Sequence, residues 1–555
     1  MIKNYIKMLK REFSGYNGGR LVKDLLAGLT VAAVALPLAL AFGVASGADA
    51  ASGLVTAIIA GVIISALAGA SFQISGPTGA MSAVLIGIVA QHSLQGVFLV
   101  CFIAGVILLL CGIFKLGKLV ALIPRPVITG FTSGIAVIIA LGQVDNFFGT
   151  VSEGETAIQK LASYGSLGFK PHLMTVILGL IVVVTMIVWP KKWNAKVPSS
   201  LVGIIVSTVI YVVLRAIFKE ESPLKEMIDG VKTVGAIPKT LFLETRFSFA
   251  EIDFSAIGSL ISPAITVAAL GMIESLLCGA SASRMKNEPF DANIELIAQG
   301  AGNILIPFFG GVPATAAIAR TSVAIKSGAQ TRLTGIFHAL WLIAAMFLLG
   351  GVMALVPMSA LGGVLIVTAW RMNEWHAIKF MFKKKFISAI LQFLITMIAT
   401  VVFDLTVAIV IGIIFSVLVF VKNAAHLKVE VSDVDESRIV GRTDPEVDFG
   451  ETVVMYVTGN IFFANIKSLT DAAENLPECS EVIISLRGVP DIDITAIETV
   501  GEMCEELKGK GIGTLFCGLN ESVERVFKKS GIYDKIGADR FYKSVDKALL
   551  SHKAE

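Results

Sequence analysis

The sequence predicts an α-helical polytopic membrane body followed by a soluble α/β domain. Three observations carry that prediction: a shortage of charge, its uneven distribution, and a change of hydrophobic period after residue 427. Of 555 residues, 55% are hydrophobic and 16% charged, against roughly 25% charged in a typical soluble protein. Residues 428–555 hold 15 basic and 24 acidic side chains, whereas the first 427 hold 31 and 19. The net charge of +3 is thus the sum of a basic, apolar body and an acidic, polar tail. A single soluble globule is excluded. No basic stripe interleaved with aromatics is present, which excludes a nucleic-acid binder. The six Cys form no CxxC pair and the six His are dispersed, which argues against a disulfide scaffold, a zinc site or a redox site.

Residues 1–20 are basic and lack a small-residue cleavage site, so they read as a cytoplasmic segment leading into a retained helix. The membrane body is expected over 21–425. Clear spans are Leu94–Phe114, Leu173–Trp189, Leu201–Ile217, Phe337–Met358, Ile387–Val402 and Leu405–Val421, each near the 20 or so helical residues that cross a hydrocarbon core. Others are interrupted by Gly and Pro: Leu29–Gly47 around Pro37, Ile74–Gln91 after Pro77, Val120–Leu141 after Pro124 and Pro126, and Pro313–Ser327. Twelve to fourteen crossings result. With the first segment inside and fourteen crossings, Lys115, Lys118, Lys191, Lys192, Lys196, Arg284, Lys286, Lys326, Arg332, Lys383 to Lys385 and Lys422 all fall on the cytoplasmic side. The long loops Asn146–Pro171 and Lys219–Phe254 fall outside with a slight acidic excess. This alternation obeys the positive-inside rule.

The interrupted segments carry the chemistry. Ser75–Ser82 and Gly311–Ala317 each run from an extended Gly/Pro-rich stretch into a short helix of small residues. A helix that begins inside the membrane leaves unpaired N–H groups and the positive end of its dipole there. Such backbone is tolerated where it lines a cavity, and an anion is its natural occupant. Pro77 and Pro313 stand in corresponding places of two halves, about 21–218 and 255–425, as in an inverted-repeat transporter with a midplane site. Glu274 lies about 15 Å from the helix end near Arg284, and Arg320 is expected one to two turns into the second short helix. A membrane-centred charge costs at least about 2.5–3.5 kcal/mol on insertion scales, so each needs a partner or a wet cavity. Arg320 supplies positive charge for an anion, and Glu274 can take a proton, help bind a cation, or pair structurally with Arg320.

The tail alternates short β-runs with amphipathic helices. Strands are expected at Thr452–Thr458, Glu481–Leu486 and Gly513–Gly518, and helices at Asn465–Asn475, Ile494–Lys508 and Glu521–Ser530. In the second helix Ile497, Val500, Cys504 and Leu507 form one apolar face.

These motifs resemble the SulP (sulfate permease) family of anion transporters over nearly the whole chain. The residues that carry the resemblance are Asp24–Thr30 with Leu36–Gly43, Ile74–Thr78, Gly130–Gly134, Gly271–Leu277, Gly300–Ile304 with Pro307–Gly311, and Ala314–Thr321. The resemblance implies fourteen transmembrane segments in a seven-plus-seven inverted repeat, with core and gate domains. It also implies a C-terminal cytoplasmic STAS domain over 428–555 and a homodimer in the cytoplasmic (inner) membrane. It places Phe42, Thr78, Gly79, Ala319 and Arg320 at the anion site, and Glu274, Cys278, Ala316 and Ala317 at the coupling position. No cofactor is implied beyond a coupling H+ or Na+. Sodium-coupled bicarbonate members carry Asp where Glu274 stands, and hydroxyls where Cys278 and Ile318 stand. Members similar to dicarboxylate transporters share the run Ile273–Cys278, and in them proton coupling is expected. Thr495 occupies the phosphoacceptor place of anti-sigma antagonists, with Ile494 departing from that motif, and a cap by Asp493 or Thr495 accounts equally for the helix start. A cytoplasmic protein partner is implied at this domain. The expected function is secondary active transport of a small inorganic or organic anion across a lipid bilayer. A passive anion channel or exchanger of the same fold is the alternative, and enzyme chemistry is not expected because no nucleophile–base constellation appears.

Overall fold

Helices of spanning character occupy most of the chain up to residue 424. They are seen in a computed structural model that describes residues 2–118, 124–154, 157–190, 193, 197–218, 223–248, 250, 257–403, 405–434 and 451–552. Lys191, Lys192 and Lys196, the start of the span expected at 120–141, and parts of the 219–254 loop and of the tail lie outside the described residues.

Among the described residues, seven helices are at least 18 residues long and apolar enough to cross a membrane. The longest, Gly79–Ile113, contains Ser93 at φ 60° and ψ −175°, which divides it into a half-helix at 79–92 and a full crossing at 94–113. The first half of the body is then Gly18–Ala45, Ala50–Leu67, these two pieces, Arg125–Gly142, Leu173–Val188 and Ser199–Ile217. The second half is Ile257–Lys286, Ala292–Leu305, the short Ile318–Lys326, Leu333–Met353, Met358–Met372, Ile387–Val402 and Leu405–Ala424. The order is the same in both halves: two helices, a half-helix third, then four more. This is the fourteen-segment, seven-plus-seven arrangement.

One expected break is absent and one expected span ends early. Pro37 lies inside the continuous helix Gly18–Ala45; the one backbone bond it removes is tolerated because this helix is packed along Ala50–Leu67 and Leu333–Met353. The span expected over Phe337–Met358 instead ends at Met353, and Pro357 caps a new helix that begins at Met358. By contrast, Pro124 and Pro126 start the helix Arg125–Gly142 as expected.

Helix association in lipid relies on close packing, since lipid tails are as apolar as Leu. The crossing of 94–113 with Ala292–Leu305 illustrates this. A Cβ at Gly300 would lie 2.5 Å from the Leu109 nitrogen and 2.7 Å from the Gly105 carbonyl oxygen. Backbone touches backbone there, which fixes the helix Ala292–Leu305 behind the site.

The C-terminal unit is an α/β domain. Its sheet runs β3 (Lys428–Asp433), β4 (Thr452–Thr458), β5 (Glu481–Gly488), β6 (Gly513–Cys517), β7 (Phe541–Tyr542), with β3 antiparallel and the others parallel. Two shorter strands, β1 (Ser75–Gly76) and β2 (Thr315–Ala316), belong to the membrane body. Helices Ile466–Glu474, Ile494–Gly509 and Glu521–Lys529 stand where the periodicity places them. The edge strands β3 and β7 and the last helix Val545–His552 were not expected. β4 and β5 are buried along most of their length, in keeping with strands covered on both faces.

Candidate functional site

The two interrupted segments meet as a two-stranded antiparallel ribbon. β1 (Ser75–Gly76) pairs with β2 (Thr315–Ala316), Ser75 opposite Ala316 and Gly76 opposite Thr315. A half-helix leaves each strand, so the two helix N-termini start at opposite ends of the ribbon and point their positive ends toward it. The helix at 79–92 has Thr78 as its N-cap, whose Oγ1 accepts from the Met81 N–H at 3.4 Å. The helix Ile318–Lys326 follows Ala317 and has no side-chain cap. Its first-turn N–H groups are therefore left for another acceptor.

This geometry corrects the proline register. Strand for strand and cap for cap, Thr78 corresponds to Ala317. Pro77 lies between strand and cap, and Pro313 lies two residues before its strand. Neither ring sits in the first helical turn; each instead holds extended backbone beside the ribbon. Arg320 is likewise nearer the helix start than expected, as the third helical residue.

Each candidate residue has a definite place. Glu274, within the helix Ile257–Lys286, faces the ribbon. Its Oε2 accepts from Thr78 Oγ1 at 2.8 Å and from Thr315 Oγ1 at 2.6 Å, and the two hydroxyl oxygens are 3.2 Å apart. One carboxylate oxygen thus ties together both interrupted segments. Arg320 is 1% exposed; its Nη2 donates to the Pro77 carbonyl at 2.8 Å, and its Nη1 has no hydrogen-bond partner among the described residues. Glu274 and Arg320 do not form an ion pair among the described residues, so a structural Glu–Arg pair is not what holds them. The guanidinium lies under the ribbon, where a Cβ at Gly76 would come within 2.4 Å of Nη1.

Phe42 is buried against Gly79, where a Cβ would lie 3.0 Å from the ring and 2.5 Å from Ile139. Ala319 and Ile318 are exposed on the second half-helix. Ala316 N–H donates to Ser275 Oγ at 3.2 Å, and Ala317 N–H to the Ile74 carbonyl at 3.0 Å. Cys278, one turn beyond Glu274, is buried with its Sγ 3.4 Å from Thr321 Oγ1. A cleft beside the first half-helix is lined by Ser82, Ala83, Ile139, Gln143 and Lys160 among others. The structure therefore gathers Thr78, Gly79, Phe42, Arg320 and Glu274 around the ribbon, and assigns Ala316 and Ala317 backbone roles.

Three residues outside the candidate set build the scaffold. Thr315 supplies the shorter bond to Glu274. Asn303 pairs with both backbone groups of Ala314, Oδ1 accepting at 2.8 Å and Nδ2 donating at 2.9 Å. Thr56 Oγ1 accepts from the Val312 N–H at 2.7 Å and lies 3.0 Å from the Val312 carbonyl. The signal for them is a polar side chain in an otherwise apolar stretch, and Thr is too near neutral in hydropathy to stand out there. Among the described residues no group of three or more His, Cys, Asp or Glu is arranged to hold a metal. In the tail, Thr495 is exposed and Asp493 is the cap: its Oδ1 accepts from Ala496 N–H at 2.8 Å and its Oδ2 from Phe463 N–H at 3.0 Å.

Two half-helices leaving a shared ribbon inside a fourteen-segment inverted repeat, followed in the chain by an α/β domain, define a multi-pass membrane transporter. The sulfate permease family profile matches residues 21–399 and the STAS domain profile residues 444–548. The chain belongs to the sulfate permease family, whose members are transporters and not enzymes. YvdB of Bacillus subtilis, whose name assigns it sulfate transport provisionally, is 33% identical over 542 residues, covering 96% of this chain and 97% of its own. The bicarbonate transporter BicA of Picosynechococcus is 28% identical over 544 residues, covering 95% and 94%. The solved transmembrane domain of a cyanobacterial BicA superposes with a TM-score of 0.63 at 28% identity, over 71% of this chain and 98% of that one. The overall structure of SLC26A9 superposes with a TM-score of 0.81 at 16% identity, over 98% and 92%, a likeness of fold.

Proposed function

We propose that the chain is a secondary active transporter of a small anion, with sulfate, bicarbonate or a C4-dicarboxylate as the candidate class, working by alternating access. The observation that carries this reading is a buried, unpaired guanidinium between two half-helix N-termini. Together they give a fixed positive field at the ribbon, with no acid in ion-pair contact with Arg320 among the described residues. Because Nη2 is bonded to the Pro77 carbonyl and the head is covered, Arg320 acts on the anion through its field. The uncapped N–H groups near Ala319, with those at Gly79, are the direct donors, and Phe42 closes the apolar side. Relatives named as sulfate and bicarbonate transporters support anion transport for this chain.

Glu274 is the coupling residue in this reading. Its Oε2 is held by one hydroxyl from each interrupted segment, so a proton or sodium ion arriving at the carboxylate changes both contacts at once. That geometry supports proton or sodium symport. The body lies in the cytoplasmic membrane with the STAS domain on the cytoplasmic side. It works as a homodimer, and the domain receives a cytoplasmic protein partner. The test is uptake in proteoliposomes on imposed pH or sodium gradients. Arg320→Ala and Glu274→Gln are expected to abolish uphill uptake while the protein stays monodisperse; full uptake by both sinks the assignment. Flux that never exceeds equilibration favours a passive channel.

A further inference from the structure

The helix Ile2–Glu12 has two unlike faces. Tyr5, Met8, Leu9 and Glu12, at three- and four-residue spacing, are its partly buried positions. They dock it on the body: Tyr5 Oη donates to the Ala66 carbonyl, and Glu12 forms a buried pair with Arg332, with Arg332 Nε at 3.0 Å and Nη2 at 2.8 Å from Oε2. Both side chains of that pair are 4% exposed. Arg332 Nη1 also donates to the Ala66 carbonyl at 2.9 Å. The helix is therefore clamped at both ends.

Its other face carries Lys3, Lys7, Lys10 and Arg11, all exposed. Among the described residues none of the four is paired with an acid. Ile6, 47% exposed, sits among them. Five residues, including a turn, separate Glu12 from the start of the first spanning helix at Gly18. Its early apolar residues Leu21, Val22, Leu25, Leu26 and Leu29 are all exposed, by 37–57%. Those side chains mark the start of the lipid-facing surface, so the basic face lies at the level of the headgroups. Arg20, which donates to the Ser14 carbonyl at 3.0 Å, adds a fifth cation at the same level.

We propose that this face is a binding surface for anionic phospholipids of the adjoining leaflet, the lysines and Arg11 engaging headgroup phosphates while Ile6 enters the acyl boundary. Charge complementarity selects the occupant. Four unpaired cations on one face beside an apolar belt match a layer of phosphates. The clamp to Arg332 and Ala66 holds the face in place before lipid arrives, so little ordering accompanies binding. Each basic side chain near an anionic surface is worth about fivefold in affinity.

The test is native mass spectrometry of the full-length protein titrated with phosphatidylglycerol or phosphatidylcholine. K3Q/K7Q/K10Q/R11Q is expected to weaken the tightest phosphatidylglycerol site about tenfold or more and to leave phosphatidylcholine unaffected. K383Q/K384Q/K385Q, at another exposed basic run, is expected to change that site less than about twofold. Retention of phosphatidylglycerol affinity within about twofold by the quadruple variant overturns the proposal, as does an equal loss in the Lys383–Lys385 variant. If the quadruple variant does not fold, K3Q/K7Q and K10Q/R11Q separately each lose about threefold or more, and no loss in either refutes it. The readout is lipid bound, so it stands or falls independently of which anion is carried.

Discussion

Thr315→Val is the sharpest probe of how Glu274 is set. Valine keeps the shape and removes one hydroxyl, the donor 2.6 Å from Glu274 Oε2. Thr78 Oγ1 at 2.8 Å is then the remaining donor to that oxygen. A hydrogen bond to a charged group contributes about 1.5–3 kcal/mol, and about 1.4 kcal/mol is tenfold. The half-saturating concentration of the coupling ion should therefore change by about ten- to a hundredfold. The anion's own half-saturation should move by less than about threefold, because the half-helix N-termini are untouched. Counterflow and gradient-driven uptake in proteoliposomes separate the two quantities. Thr315→Ser restores the donor and should return coupling toward the parent value. If valine leaves both constants unchanged, or shifts them equally, Thr315 does not act through Glu274.

Three further expectations follow from the same contacts. Gly76→Ala puts a Cβ 2.4 Å from Arg320 Nη1 and 3.3 Å from Ala57 Cα. With the guanidinium buried and bonded to Pro77, it has no room to move, and uptake should fall about tenfold or more while the protein still elutes as one species. Asn303→Ala leaves the Ala314 N–H and carbonyl unpaired in a buried site. At about 1–3 kcal/mol for each lost partner, the melting temperature should drop by several degrees, and Asn303→Asp, which keeps the acceptor, should recover part of it. In the tail, burial pushes the Cys504 thiol up to about 12 and the Cys517 thiol up to about 11. A raised value means protonated thiol at pH 8 and a thiolate fraction of about 10⁻³ to 10⁻⁴. Both should alkylate far more slowly in the native protein than in urea, and mass spectrometry of alkylated peptides reads the ratio.

Much of this was legible in the residues because a membrane penalises irregular features. A Gly/Pro-rich stretch inside an apolar run has few explanations, and two of the four, Ser75–Ser82 and Gly311–Ala317, turned out to hold the ribbon. Glu274 and Arg320 stood out because charge at that depth is costly. Thr315 did not, since a threonine hydroxyl is cheap to bury when it has a partner. That partner is 41 residues away in the chain, and the other hydroxyl on the same oxygen is 196 away. The pairing of Glu274 with Arg320 was a plausible reading of two buried charges, but Glu274 is held by two hydroxyls and Arg320 by one carbonyl, its Nη1 left without a partner among the described residues. Proline register failed for a related reason. Pro77 and Pro313 have the same local effect on backbone, and only the ribbon reveals that they stand on different sides of their strands. The edge strands β3 and β7 escaped because one is solvent-facing and the other is two residues long.

The central claim is that an anion rests at the first turn of the second half-helix, in the field of Arg320. Ala319 is exposed there, so Ala319→Cys places a thiol at the spot. The decisive measurement is its reaction rate with a charged thiol reagent, against the parent protein as background, in sulfate, bicarbonate, chloride, succinate and fumarate. At least one of these anions should slow labelling in a saturable way, and Arg320→Gln in the same background should remove the protection. Labelling that ignores every anion, or protection that survives Arg320→Gln, contradicts it.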